Sequence, residues 1–211
     1  MKLKRLFLAN LLAILFISCA SNNKSFIPGA SASSEKKIYT EYITIGDTYV
    51  SLEKYDKAVE YYKLALNNQE NYWAINYKLA KVYVLQNKWT EATPIFEELL
   101  ARDSENTSIK ASLAYIYAMQ KDYDKALTYY EELLLSNPES MEYIQNSLSI
   151  YLAKKDFENS KIKYNLLVEY YNENENLEKF KNELDKLDKE INKKEEEAVE
   201  ENIKENTDNV N

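Results

Sequence analysis

Three observations predict an all-α fold built from a repeated helix–turn–helix unit. The 211-residue chain matches itself at a shift of 34, and internal periods of that size mark stacked supersecondary units. It holds only two glycines and three prolines, while Leu, Ala, Glu, Lys and Tyr abound. That composition favours long helices with short connections over sheet. After the repeats, Leu177, Phe180, Leu184, Leu187 and Ile191 recur at steps of three and four between charges, which places one apolar stripe on one helix.

Aromatic residues carry the period. Tyr49, Tyr83, Tyr117 and Tyr151 form one ladder; Tyr55, Trp89, Tyr123 and Phe157 form a second; Tyr62, Phe96, Tyr130 and Tyr164 form a third. Small residues keep step at Ala58, Ala92, Ala126 and Ser160, and at Gly46, Ala80 and Ala114 until Leu148 breaks that series. Small residues let the two helices of a unit approach closely, and the aromatics fill the gaps between helices. A single unit cannot bury its apolar face, so units stack. Counting from Tyr39, the repeats are 39–72, 73–106, 107–140 and 141–174.

Within each unit a turn separates the helices: Glu53-Lys54-Tyr55-Asp56, Asn87-Lys88-Trp89-Thr90, Lys121-Asp122-Tyr123-Asp124 and Lys155-Asp156-Phe157-Glu158. Asp and Thr in these turns are expected to cap the second helix. Pro94 near the start of the second helix of repeat 2 predicts a local bend. Repeat 4 reads Ser147-Leu148 where earlier units read large then small, which predicts a first helix rotated or spaced differently, as in terminal repeats. Residues 175–192 are expected to form a helix capping the stack. Residues 193–211 lose their aromatics, and 13 acids against 7 lysines fall in 175–211; an acidic disordered tail is the expectation there.

These residues resemble the tetratricopeptide (TPR) repeat, with small residues at places 8 and 20, aromatics near 11, 17 and 24, and proline at 32. Repeat 3 is closest, with Ala114, Tyr117, Tyr123, Ala126, Tyr130 and Pro138. The resemblance implies a TPR α-solenoid of about four units plus the capping helix. It also implies a protein or peptide partner held along the first helices of the units, at places 2, 5, 9, 12 and 13. Carried over, that groove includes Ile43, Asp47, Val50, Tyr77, Lys81, Val84, Leu85, Tyr115, Ala118, Met119, Gln145 and Leu152. One TPR groove grips a chaperone's C-terminal carboxylate with lysine, asparagine and arginine. Here those places hold Ile43, Asp47, Lys78, Ser108 and Ser112, so that specificity is not implied. A segment with apolar anchors fits the groove better.

The N-terminus reads as an address. Met1–Arg5 is basic and Leu6–Ser18 is apolar but for Asn10. Thirteen residues are too few for a helix to span about 30 Å of hydrocarbon, and the pattern fits a signal peptide over 1–18. The run ends Phe16-Ile17-Ser18-Cys19, and Cys19 is the single cysteine of the chain. This resembles a relaxed bacterial lipobox, with Phe16 in the usual leucine place, which implies lipidation of Cys19. Two or more acyl chains anchor stably where one does not. Residues 19–38 are expected to form a flexible tether.

What is missing narrows the function. The chain has no histidine, hence none of the commonest general base or metal ligand. No GxxxxGK[ST], GxGxxG or GxSxG motif occurs. The expectation is therefore a non-enzyme with no cofactor, no metal and no small-molecule substrate. Formal net charge is −8, and residues 1–18 carry three positive charges and no acid, which leaves −11 from Cys19 onward. Such a surface repels phosphate backbones, so no nucleic acid is expected. The whole reads as a lipid-anchored scaffold of a bacterial envelope, at the outer membrane. The alternative is a surface-exposed lipoprotein contacting host or environmental molecules.

Overall fold

The computed structural model describes residues 32–67 and 69–208, with side chains from 37 to 200 apart from residue 68. The expected signal peptide, Cys19 and the first part of the tether lie outside the described residues. Those described form α-helices and one 3-10 turn and separate into two compact units, divided at Tyr72 and Trp73.

The first unit is a helical pair, α1 (Ala32–Ser51) and α2 (Tyr55–Ala65), followed by a 3-10 turn at Gln69–Asn71. Helix α1 starts inside the stretch expected to be tether, so residues 32–38 are helical. The apolar spacing of Ile38, Tyr42 and Ile45 extends the helical pattern backward, and Glu35 suits an N-terminal turn. Gly46 is where the pair closes. A Cβ there would stand 2.5 Å from the Tyr62 ring, so the close approach requires glycine. Tyr62 is 2% exposed and donates its hydroxyl to Asp47 Oδ1 at 2.6 Å. Burial first, and then that carboxylate, push the Tyr62 hydroxyl well above its ordinary pKa.

The second unit continues with α3 (Tyr72–Leu85), α4 (Trp89–Arg102), α5 (Thr107–Met119), α6 (Tyr123–Ser136), α7 (Met141–Ala153), α8 (Phe157–Tyr170) and α9 (Leu177–Asp208). Each second helix begins on the second aromatic ladder, and first helices end at 51, 85, 119 and 153, one period apart. Every turn between paired helices uses one left-handed residue: Glu53 (φ 56°), Asn87 (57°), Lys121 (64°) and Lys155 (58°). The next residue's amide returns to the carbonyl of the first ladder, Lys54 to Tyr49 (2.8 Å), Lys88 to Tyr83 (2.8 Å), Asp122 to Tyr117 (2.9 Å) and Asp156 to Tyr151 (3.0 Å). This is the Schellman closure, here without glycine.

Capping divides the turns. Asp122 and Asp156 accept from the amides of Lys125 (3.4 Å) and Asn159 (3.1 Å). Lys54 and Lys88 hold the same position without a side-chain cap, and Thr90 bonds the Glu91 carboxylate instead. The expected cap therefore forms in repeats 3 and 4 and not at Thr90. Helix α4 runs through exposed Pro94 to Arg102; one lost amide does not break it.

The third and fourth repeats each join the preceding repeat through a carboxylate. Tyr117 donates to Glu97 of α4 (2.5 Å), and Tyr151 donates to Glu131 of α6 (3.2 Å), which also receives the buried Lys163 ammonium at 2.7 Å. Helix α7 keeps the 34-residue register of α5, so it is not spaced differently as expected. Ser147, fully buried, turns its hydroxyl back to the Tyr143 carbonyl (2.8 Å). Leu148 packs with Leu134, Ile144, Leu167 and Phe180, the last from α9. The larger side chain is accommodated because α9 packs on α8 and α7.

Leu184 and Leu187 are also buried, and Lys155 pairs with Glu190 at 2.6 Å. Helix α9 then continues to Asp208, which corrects the expectation of a disordered segment from residue 193. Lys, Glu and Ala are strong helix formers, and the Lys193–Glu197 pair (3.5 Å) adds i,i+4 support. No helix among the described residues is long and apolar enough to cross a membrane.

Candidate functional site

The groove residues expected from the repeat register do not share one fate. In the first unit, Ile43 and Val50 are half-buried, while Asp47 is engaged by Tyr62 and so helps to close the helical pair. On α3, Tyr77 meets Phe96 edge-on (6.0 Å between centroids), Lys81 lies over the Tyr77 ring at 5.7 Å, Val84 is half-buried and Leu85 is exposed. On α7, Gln145 donates to Asn174 (3.2 Å), and Leu152 packs against the Leu148–Phe180 cluster. These two serve the packing of the chain's C-terminal part, because α9 and the loop before it come down over them.

Tyr115 and Met119 on α5 differ. Both are large apolar side chains left 42% and 48% exposed, and with Ala118 they wall a cavity of about 260 Å³. Trp89 holds the Tyr115 ring edge-on, 5.9 Å between centroids. On the opposite side stand Asn146, Ser149, Ile150 and Ala153 of α7, and the floor includes Tyr130. Asn146 donates its amide to the Tyr130 hydroxyl at 3.1 Å. Burial above all, then the charge of Glu142, raises the Tyr130 pKa well above normal, so the phenol stays neutral.

A second hollow of about 340 Å³ lies between α7 and α9, and Ser149 and Ala153 line it too. Its other walls are mixed, with Leu152 and Leu187 beside Lys155, Glu183, Lys186 and Glu190. Small residues of α7 thus form a low saddle between an aromatic pocket and one that mixes leucines with charges. The arrangement can seat one apolar side chain against Tyr115 and Met119, offer hydrogen bonds from Asn146 and Ser149, and leave a flanking chain to cross toward α9.

Ser149 and Ala153 occupy places 9 and 13 of their repeat, as Tyr115 and Met119 do of theirs. Side chains so small raise no signal of their own. Tyr130 stands in a core ladder, and nothing in its sequence context shows that its hydroxyl reaches the groove.

These paired helices in 34-residue register, with a cavity between the first helices of the third and fourth pairs, define an all-α repeat protein. The tetratricopeptide-repeat family is matched over residues 42–72 and 83–149. Those two segments of the chain therefore carry tetratricopeptide repeats. Its structure is similar to a tetratricopeptide repeat protein from Parabacteroides merdae at 21% identity and TM-score 0.66, covering 73% of this chain and 61% of that one. It thus spans less than two thirds of that relative. It is also similar to MamA from Desulfovibrio magneticus (18% identity, TM-score 0.60, covering 68% and 81%). A third similar structure is YrrB, described as a TPR protein with an unusual peptide-binding site (19% identity, TM-score 0.56, covering 66% and 72%). At these identities the likeness concerns the fold alone. No curated protein sequence matches the chain.

Proposed function

We propose that this protein is a lipid-anchored scaffold of a bacterial cell envelope, at the outer membrane, that holds a segment of a partner protein between α5 and α7. The observation carrying the binding role is the pair Tyr115 and Met119, exposed on a cavity wall and positioned by Trp89. Large apolar groups left in a concave site, with a few convergent polar groups, are what a peptide anchor requires. The peptide-binding site named for YrrB supports the reading by analogy. For the anchor, the support is the basic Met1–Arg5, the apolar Leu6–Ser18 and the lone Cys19. The bacterial sources of two similar structures agree with it.

A photo-crosslinking residue placed at Met119 in living cells tests the binding site, with Leu135 on another surface as control. A discrete protein captured from position 119 and not from 135 is expected; equal capture from both sinks the groove. Cys19→Ala should release the protein from membranes, and a fully membrane-bound variant would disprove lipidation. Protease treatment of intact cells then distinguishes the faces of the membrane. Protection agrees with an inward scaffold, and loss of the repeats favours a surface lipoprotein.

A further inference from the structure

In the second unit the same joint is built twice. Tyr117 donates to Glu97 of α4 and stacks on Tyr129 at 6.1 Å between centroids and 6° between planes. One repeat on, Tyr151 donates to Glu131 of α6. Each time, the helix seated on the tyrosine is the second helix of the preceding repeat, and its acid stands 20 residues upstream.

The first unit carries the receiving half of this joint. Tyr49, two periods before Tyr117, stacks on Tyr61, two periods before Tyr129, at 5.4 Å and 24°. Tyr61 meets Tyr42 at 6.1 Å, and Tyr42 meets Tyr39 edge-on at 6.3 Å. Lys57 holds the place of Lys125, which lies over the Tyr117 ring at 4.8 Å. All four tyrosines are half-buried. Among the described residues, none donates to or accepts from the Tyr49 hydroxyl. The place that holds Glu97 and Glu131 in the later joints carries no acid before Tyr49. Gly29 stands 20 residues before Tyr49, beside Pro28, and residues 1–34 contain no Asp or Glu.

We infer that the Tyr39–Tyr42–Tyr49–Tyr61 face of the first unit is a second docking surface. Its occupant is an α-helix of a partner protein that presents a carboxylate to the Tyr49 hydroxyl and apolar groups to the rings of Tyr42 and Tyr61. The partner supplies what α4 supplies to Tyr117 and α6 to Tyr151. A hydroxyl donating to a carboxylate is a charge-assisted bond, stronger than a neutral one, and the tyrosine rings bring apolar area at little entropic cost. This surface shares no residue with the Tyr115–Met119 groove, so either can fail without the other.

The test uses the full chain and a helical peptide with the sequence of residues 88–103, stapled on the face away from Glu97 and fluorescently labelled. Saturable binding by anisotropy is expected. It should weaken about fivefold when Tyr49→Phe removes only the hydroxyl, about fivefold when Glu97→Gln is made in the peptide, and no further when both are combined, since the pair is one bond. Tyr61→Ala should lower affinity more than tenfold, while Tyr115→Ala leaves it unchanged. Absence of saturable binding overturns the proposal, as does full affinity for the Tyr49→Phe protein whose melting matches wild type. Loss of binding with Tyr117→Phe rather than Tyr49→Phe also overturns it, because the peptide would then be replacing α4 in its own seat. Concentration-dependent self-association of the chain that Tyr49→Phe weakens would assign the face to a second copy and equally remove the partner.

Discussion

Helices α5 and α7 lie one period apart and start and stop in register, yet at three places they exchange large side chains for small. Where α5 shows solvent Tyr115 and Met119, α7 shows Ser149 and Ala153; where α5 buries Ala114, α7 buries Leu148. At these places one helix is small inside and large outside and its neighbour is the reverse, while one place earlier α5 buries Leu113 where α7 buries Ser147. The repeat sets the backbone and the buried ladders. The cavity exists because the solvent-facing places are released from that repetition, so a large wall faces a low one. Bulk moved inward at Leu148 answers a second demand, the packing of α9 against the last pair.

Reversing the exchange in the core should have the largest effect. Leu148→Ala makes α7 match α5 at the Ala114 place and leaves a void among Leu134, Ile144, Leu167 and Phe180. Buried Leu→Ala changes cost about 2–5 kcal/mol, so urea melts should show a loss of about 3 kcal/mol. A loss below about 1 kcal/mol would mean that α9 settles into the space and that the cluster is not what fixes it.

Reversing it at the surface should destroy the groove and spare the fold. Ser149→Tyr with Ala153→Met copies the face of α5 onto α7 and fills the cavity from its low side. Binding of the segment captured from position 119 should fall more than tenfold, about 1.4 kcal/mol, while stability moves within about 0.5 kcal/mol. Tyr115→Ala with Met119→Ala should weaken binding comparably by removing the opposite wall. Retained affinity in both variants would place the guest elsewhere.

The core was legible because its pattern repeats: twelve aromatic places, buried or half-buried, and one unbroken series of small residues return every 34 residues. Tyr115 and Met119 were legible by place, since a large side chain at an outward position is visible in a sequence. Their counterparts Ser149 and Ala153 matter by what they leave empty, and emptiness has no residue type. The turns were legible as turns, but their left-handed residues were not. Glu53, Lys121 and Lys155 are not residues that favour positive φ; the Schellman bonds hold them there. Residues 193–208 were misread because their low hydrophobicity resembles disorder, whereas helix propensity and charge pairs act along the helix without needing a core.

A second comparison divides the turns of repeats 1 and 2 from those of 3 and 4, with Lys at the N-cap in the first two and Asp in the others. Lys88→Asp should give α4 the cap that Asp122 gives α6 and remove a cation from a helix N-terminus. Thermal or urea melts should show a gain of about 1 kcal/mol, with a similar loss for Asp122→Ala. Asp122 caps from the same ψ of 70°, so no gain at Lys88 would mean that the interactions Lys88 already makes offset the new cap.

The smallest expected effect separates the two carboxylate joints. Glu97 receives Tyr117, whereas Glu131 is shared between Tyr151 and the buried Lys163. Burial first, then the Glu131 charge and hydrogen bond, push the Tyr151 pKa up to about 12 from its ordinary 10. A pKa raised in the folded state means stability that is complete below pH 10 and is lost as pH rises from 10 through 12. Tyr151→Phe cannot ionise, so it should lose a little stability at pH 8 and then fall less steeply than wild type across that window. The two curves should converge by no more than about 1 kcal/mol after solvent screening. Parallel stability curves for wild type and Tyr151→Phe between pH 10 and 12 would show that the Tyr151 hydroxyl ionises as freely in the folded chain as in the unfolded one. In that case Glu131 would serve Lys163 alone, and the two joints would differ in kind.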